Sequence, residues 1–224
     1  MLYAIGVSRS NGHMKKSKTS QRWLTEHEQD PFVLKARAAG YRSRAVYKLL
    51  ELDDRLKLFR SDQIVVDLGA APGGWSQVAR ERLGNSGRII ALDLLEMAPI
   101  EGVECLVGDF TQDEVLAGLE ETLLQNGGAV GVDLVISDMA PNLSGMKAVD
   151  IPRSAYLVEL ALAFAEQWLK PGGNFVAKAF EGEGIDTLRQ QIRKDYHKQV
   201  NIKPKASRGR SREIYLVGLG KREV

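Results

Sequence analysis

The chain has 224 residues, 44% of them hydrophobic and 27% charged, and carries a net charge of +2. At roughly 100–200 residues per domain this is one large domain or a domain with an arm, and so ordinary a composition excludes a collagenous, coiled-coil or wholly disordered chain. A single cysteine, Cys105, excludes an internal disulfide and a cysteine zinc site, and His13, His27 and His197 stand too far apart for metal-ligand spacing.

No apolar run approaches the roughly 18–20 residues of a membrane span, and no secretory leader opens the sequence. A reducing, cytoplasmic compartment is therefore expected, and no association motif points to an obligate protein partner. Residues 1–22 contain Arg9, Lys15, Lys16, Lys18 and Arg22 without an acid. They read as a flexible basic arm, either a solvated leader or an RNA contact. Residues 23–224 read as a single domain.

From Pro31 the pattern is helical, with Phe32, Val33, Ala36 and Ala39 on one face and Gly40 as the stop. Ser43 is expected to cap a second helix whose apolar stripe is Ala45, Val46, Leu49, Leu50 and Leu52. Strands and helices then alternate. Strands are expected over 64–68, 88–93, 103–107, 132–137 and 174–179. Helices are expected over 75–83, 111–124 (stopped by Asn126-Gly127-Gly128), 153–169 (closed by Lys170-Pro171-Gly172-Gly173) and 185–197. Two last strands, 200–203 and 213–218, have no helix between them and should pair antiparallel. Such alternation implies a mainly parallel, doubly wound α/β sheet.

The segment Asp67-Leu-Gly69-Ala-Ala-Pro-Gly73-Gly74-Trp75 carries the strongest signal. Glycines after a first strand let the backbone approach a ligand, and the following helix offers unpaired N–H groups. The loop is not G-x-G-x-x-G, and it lacks the Gly-Lys-Ser/Thr of a phosphate loop. Asp67 is the wrong charge for a pyrophosphate but suits an ammonium. Asp93 ends the second strand where an acid takes ribose hydroxyls, and Asp109 follows the third strand, within reach of an exocyclic adenine amine. An adenosine carrying an amino acid, S-adenosylmethionine, meets these demands. The competing reading is a tight turn with no ligand.

Further runs carry a resemblance: Arg42-Ser-Arg44-Ala-Val-Tyr-Lys48, Ser137-Asp138-Met-Ala-Pro-Asn142 with Ala148-Val-Asp-Ile-Pro-Arg153, and Ser211-Arg212-Glu213-Ile-Tyr215. With the glycine loop, these resemble the FtsJ/RrmJ family of ribose 2′-O-methyltransferases over nearly the whole chain, from about Arg22 to Leu219. The resemblance implies a Rossmann-like class I methyltransferase fold. Its seven-stranded sheet would be mainly parallel, with the last strand antiparallel and helices on both faces. It implies S-adenosylmethionine held by Asp67, Gly69, Gly73, Trp75, Asp93, Asp109 and Asp138. It also implies a catalytic set of Lys48, Asp138, Lys178 and Glu213, with Lys178 as base, Asp138 orienting it, and Lys48 and Glu213 positioning the ribose. The implied substrate is a uridine in the A-loop of large-subunit ribosomal RNA, within the particle or its precursor, during late ribosome assembly.

A ribose hydroxyl is a poor nucleophile, so positioning and a general base carry the reaction. A lysine serves as base only while its amine is neutral, which a neighbouring cation favours and neighbouring acids oppose. Adenine amino-methylation would want an Asp/Asn-Pro-Pro-aromatic run, which Ala140 and Leu143 break. Carbon methylation would want a cysteine nucleophile, and Cys105, inside a strand, reads as core. Arg42, Arg44, Lys203, Arg208, Arg210 and Arg212 are the candidate RNA contacts, since phosphate neutralisation needs clustered cations. Tyr41, Tyr47 and Trp75 are candidates to stack bases, and Trp75 alternatively walls the cofactor pocket. The alternative class is an RNA-binding assembly factor that keeps the fold without its chemistry; the intact set of four argues against it.

Overall fold

The computed structural model describes residues 28–125, 131–209 and 211–223. The basic arm, the Asn126-Gly127-Gly128 stop and Arg210 lie outside them. Helix α1 spans Pro31–Ala38: Asp30 accepts the Phe32 N–H at 2.9 Å and Pro31 takes the first position, where no N–H is needed. Helix α2 spans Val46–Leu56. Ser43 is not its side-chain cap. The helix opens behind Ala45, and it is the Ser43 carbonyl that accepts the Val46 N–H, at 3.4 Å.

The rest alternates as expected: β1 (Ile64–Leu68), α3 (Gly74–Leu83), β2 (Arg88–Asp93), β3 (Val103–Val107), α4 (Asp113–Leu124), β4 (Val132–Ser137), α5 (Lys147–Trp168), β5 (Leu169–Phe180), α6 (Ile185–Asp195), β6 (Tyr196–Ile202) and β7 (Glu213–Lys221). Three boundaries differ from the sequence reading. Helix α5 begins well before Arg153 and carries Pro152 inside it, where a proline would ordinarily mark an end. Its start is fixed by Asp150, whose carboxylate accepts the N–H groups of Ser144 (2.8 Å) and Gly145 (3.1 Å). Lys170-Pro171-Gly172-Gly173 is no closing loop but an irregularity inside β5: Val132 pairs with Leu169 and Leu134 with Asn174, so the four residues bulge opposite Asp133. Helix α6 stops at Asp195, and β6 starts at the buried Tyr196, ahead of Val200.

The sheet order is β3-β2-β1-β4-β5-β7-β6, parallel throughout except for β7, which is antiparallel to both neighbours. Alternate residues face opposite sides. Val66, Leu68, Ile90, Leu92, Val135, Phe175 and Ala177 pack beneath α4, α5 and α6. Val65, Ile89, Leu134, Ile136, Val176 and Tyr215 pack beneath α2 and α3. Strand β3 is the outermost, and Cys105 on it is exposed. It is a surface thiol and not core: among the described residues no second strand pairs with β3, and its side chains meet solvent. Strand order reverses between β1 and β4, which opens a crevice at their carboxyl ends. Among the described residues, no helix is long and apolar enough to cross a membrane.

Candidate active site

The crevice is shaped first by backbone. Gly69 leaves β1 with φ +76°, and its N–H reaches Leu92 O at 2.8 Å. A Cβ at Gly69 would lie 2.6 Å from Met139 Cγ and 3.0 Å from the Met139 backbone, so only glycine lets the β1 and β4 ends approach this closely. Gly73, at φ +104°, turns the chain into α3.

Beside the loop lies a cavity of about 400 Å³, in the range of small-molecule sites. Its lining includes Gly69, Asp93, Asp109, Phe110, Asp138 and Met139. Asp93 is oriented by the N–H groups of Ala71 (2.9 Å) and Leu95 (2.8 Å), and each oxygen keeps a further lone pair. The Thr111 N–H (3.0 Å) and hydroxyl (2.7 Å) bind Asp109 and hold its carboxyl below the usual range. Two acids, an aromatic wall and a close glycine approach suit an adenosine that carries an amino acid, so the residues fit S-adenosylmethionine. Sequence reasoning missed the floor and walls, Leu92, Phe110 and Met139, because apolar residues after strands carry no signal of which side they line.

Asp67 does not line this cavity. It is fully buried and accepts the Ser76 hydroxyl at 2.6 Å. Burial pushes its carboxyl up to about 7, and the charges of Asp138 and Asp93 push the same way. Trp75 is likewise enclosed. Its indole N–H donates to Ala45 O at 2.9 Å and its ring lies 5.6 Å from Tyr215, so it walls a small adjoining cavity of about 140 Å³ and offers no face to a base.

The four charges of the expected catalytic set meet at the same strand ends, on the α2/α3 side of the sheet. Strand β5 brings Lys178 and β7 brings Glu213; antiparallel register sets Tyr215 opposite Lys178. Lys178 Nζ lies 3.0 Å from Asp138 Oδ1 and also donates to the Asp138 main-chain carbonyl. Lys48, from α2, lies 2.6 Å from Glu213 Oε1. The Tyr215 hydroxyl joins the pairs: it donates its single proton to Asp138 Oδ1 at 2.6 Å, and its oxygen lies 3.4 Å from Glu213 Oε1. Burial alone would raise the Asp138 carboxyl, but Lys178 and Lys48, with the Tyr215 and Lys178 hydrogen bonds, hold it below its ordinary value. Burial, then the nearby Asp138 and Glu213 charges, raise the Tyr215 phenol well above its usual range, so it stays a donor. Tyr215 closes the Ser211–Tyr215 motif, which gives it no role by itself. Its place two residues after Glu213 on a strand, hence on the same face, is the signal that could have found it. Asp138 lines both cavities and so joins the charge cluster to the cofactor crevice.

The candidate RNA contacts are dispersed in role. Arg42 donates to the carbonyls of Pro72 (3.2 Å), Ala98 (2.6 Å) and Pro99 (2.9 Å) and braces the glycine loop. Arg44 is paired with Asp30 and donates to Ala206 O. Lys203 donates to Ser211 O at 2.8 Å. Arg208 lies 3.8 Å from Asp30, and Arg212 is exposed. Tyr41 bonds Glu81 at 2.6 Å, while Tyr47 is packed against Phe32, Tyr41 and the Lys35 ammonium.

Comparison with known proteins agrees with this geometry. A family model of FtsJ-like methyltransferases matches residues 41–221. The ribosomal RNA large subunit methyltransferase E of Methylobacillus flagellatus is 56% identical over 211 residues, 94% of this chain and 100% of the relative. The protein of the same name from Cellvibrio japonicus is 56% identical over 207 residues, 92% of this chain and 96% of the relative. The crystal structure of a ribosomal RNA methyltransferase from Plasmodium falciparum superposes with a TM-score of 0.75 at 31% identity. That match covers 82% of this chain and 100% of that one.

Proposed function

The chain belongs to the FtsJ-like methyltransferase family, and we propose that it transfers a methyl group from S-adenosylmethionine to a ribose 2′-hydroxyl of large-subunit ribosomal RNA. The target we favour is a uridine of the A-loop, methylated late in subunit assembly. The names of the relatives support the RNA class. The observation that carries the chemistry is the Lys178–Asp138 pair, 3.0 Å apart, with Asp138 on the lining of both cavities.

Asp93 would hold the cofactor's ribose hydroxyls and Asp109 its adenine amine, with the Gly69–Trp75 loop against its amino-acid end. When bound, the cofactor supplies an electrophilic methyl on a sulfonium. The protein's own part is to align a hydroxyl and relieve it of its proton. Lys178, fixed by the Asp138 carboxylate and carbonyl, takes that proton. Asp138 both lines the cofactor cavity and grips Lys178, so it would hold the amine beside the place of the methyl group. Lys48 and Glu213, locked together at 2.6 Å, position the ribose.

Incubation with labelled S-adenosylmethionine and large-subunit particles tests the reading. Label that stays on the ribose after base removal, at an alkali-resistant linkage, supports it. Label on a base overturns it.

A further inference from the structure

The loop joining β6 to β7 carries Lys203, Arg208 and Arg212 among the candidate RNA contacts, yet its described residues are tied down from within the protein. Arg44, itself paired with Asp30 at the head of α1, donates to Ala206 O. Arg208 reaches the same Asp30 carboxylate at 3.8 Å. Glu51 of α2 accepts the Lys205 N–H at 2.7 Å, and the Ser207 N–H closes a turn onto Pro204 O at 2.9 Å. These ties bury Ala206 and Ser207 in an otherwise polar loop. They aim the Ser207 hydroxyl at the charge cluster, where it donates to Glu213 Oε1 at 2.9 Å. That oxygen also receives Lys48 at 2.6 Å, and the Tyr215 hydroxyl oxygen lies 3.4 Å from it.

We propose that Ser207 is a positioning residue for methyl transfer, fixing the Glu213 carboxylate and linking it, through the β6–β7 loop, to the surface bearing Lys203, Lys205 and Arg208. The inference rests on Glu213 belonging to the reacting centre, as read above. The last torsion of a glutamate is broad and nearly free, so Lys48 alone leaves the carboxylate plane unset. Donors from a helix and a loop, Lys48 and Ser207, converging on one oxygen, set it. A hydroxyl that only stabilised the loop would affect RNA affinity and melting. A hydroxyl that aims Glu213 affects turnover.

The experiment is methyl transfer to large-subunit particles at saturating S-adenosylmethionine, with melting temperatures measured alongside. Ser207→Ala is expected to lower kcat about tenfold, the effect of one hydrogen bond to a charged group. The KM for particles should stay within about twofold and the melting temperature near wild type, and Ser207→Thr should restore the rate. In a Glu213→Ala background, Ser207→Ala should cost nothing further. A wild-type kcat for Ser207→Ala, or the same loss repeated in the Glu213→Ala background, overturns the proposal. A wild-type rate for Glu213→Ala itself overturns instead the placing of Glu213 in the centre. Should Ser207→Ala unfold, Ser207→Cys, a near-isostere with a weak donor, reads the same step: slow turnover supports the role and wild-type turnover overturns it.

Discussion

Asp67, on β1, and Asp138, directly after the adjacent β4, lie at the same end of the sheet, and the Asp138 N–H bonds Leu68 O at 3.3 Å. Their surroundings give them opposite character. Among the described residues, Asp67 meets the neutral Ser76 and no cation, so burial governs and its carboxyl rises to about 7. Asp138 is also largely buried, but Lys178 and Lys48 face it and its carboxyl falls. Burial alone does not make a reactive carboxylate. The difference comes from cations that β5 and α2 bring from far along the chain.

Removing a cation breaks the contrast most severely. Lys178→Ala should cut single-turnover methyl transfer by about 10²–10⁴-fold, the scale of general-base catalysis, with cofactor affinity nearly unchanged by calorimetry. The same variant should move the Asp138 carboxyl upward, toward the behaviour of Asp67, in a carbon-detected NMR titration.

Asp67 sharpens the comparison from the other side. Its folded value of about 7 lies above its ordinary 3.8, so the folded state binds the extra proton between those values. Its contribution is fully present below pH 3.8 and is lost as pH rises through 7. By neutral pH and above, the charged form costs on the order of 4 kcal/mol, at 1.36 kcal/mol per unit. Asp67→Asn keeps an acceptor for Ser76 and removes the charge, so its denaturant midpoint should gain on wild type steadily from pH 4 to pH 8. A pH-independent difference would show that Asp67 is not held as inferred.

Asp93 belongs to neither case, being partly exposed and already bonded to two N–H groups. Asp93→Ala should weaken cofactor binding by about 1.5–3 kcal/mol while leaving the Lys178–Asp138 pair untouched, a split that calorimetry and single-turnover kinetics separate. The smallest effect is expected at the surface. Arg212→Ala should reduce the salt dependence of RNA binding by about one unit of slope. Arg44→Ala should instead lower stability, because Arg44 is spent on Asp30 and Ala206.

Much of this was legible in the sequence. Strands β1, β2 and β4 fall where apolar runs bounded by turns place them, because buried parallel strands are continuous and apolar. The Lys48, Asp138, Lys178 and Glu213 cluster followed from motifs spread across the chain. Local signals misled where tertiary contacts override them. Pro152 sits inside α5, Lys170–Gly173 bulge without ending β5, and Ser43 leaves the capping to its carbonyl. Cys105 read as core because a strand's sequence does not say that it lies at the edge of a sheet. The roles of Arg42 and Arg44 were hidden for a similar reason: a basic run reads as a phosphate surface, whereas carbonyls and an acid from elsewhere in the fold take up these two.

The most direct test of Lys178 as base is single-turnover methyl transfer by Lys178→Arg at neutral pH. Arginine keeps the positive charge beside Asp138 but does not surrender a proton near neutrality. The base assignment calls for a rate as low as that of Lys178→Ala, with cofactor and RNA bound normally. A Lys178→Arg enzyme that transfers methyl at close to the wild-type rate would contradict it and leave positioning and charge as the source of the rate.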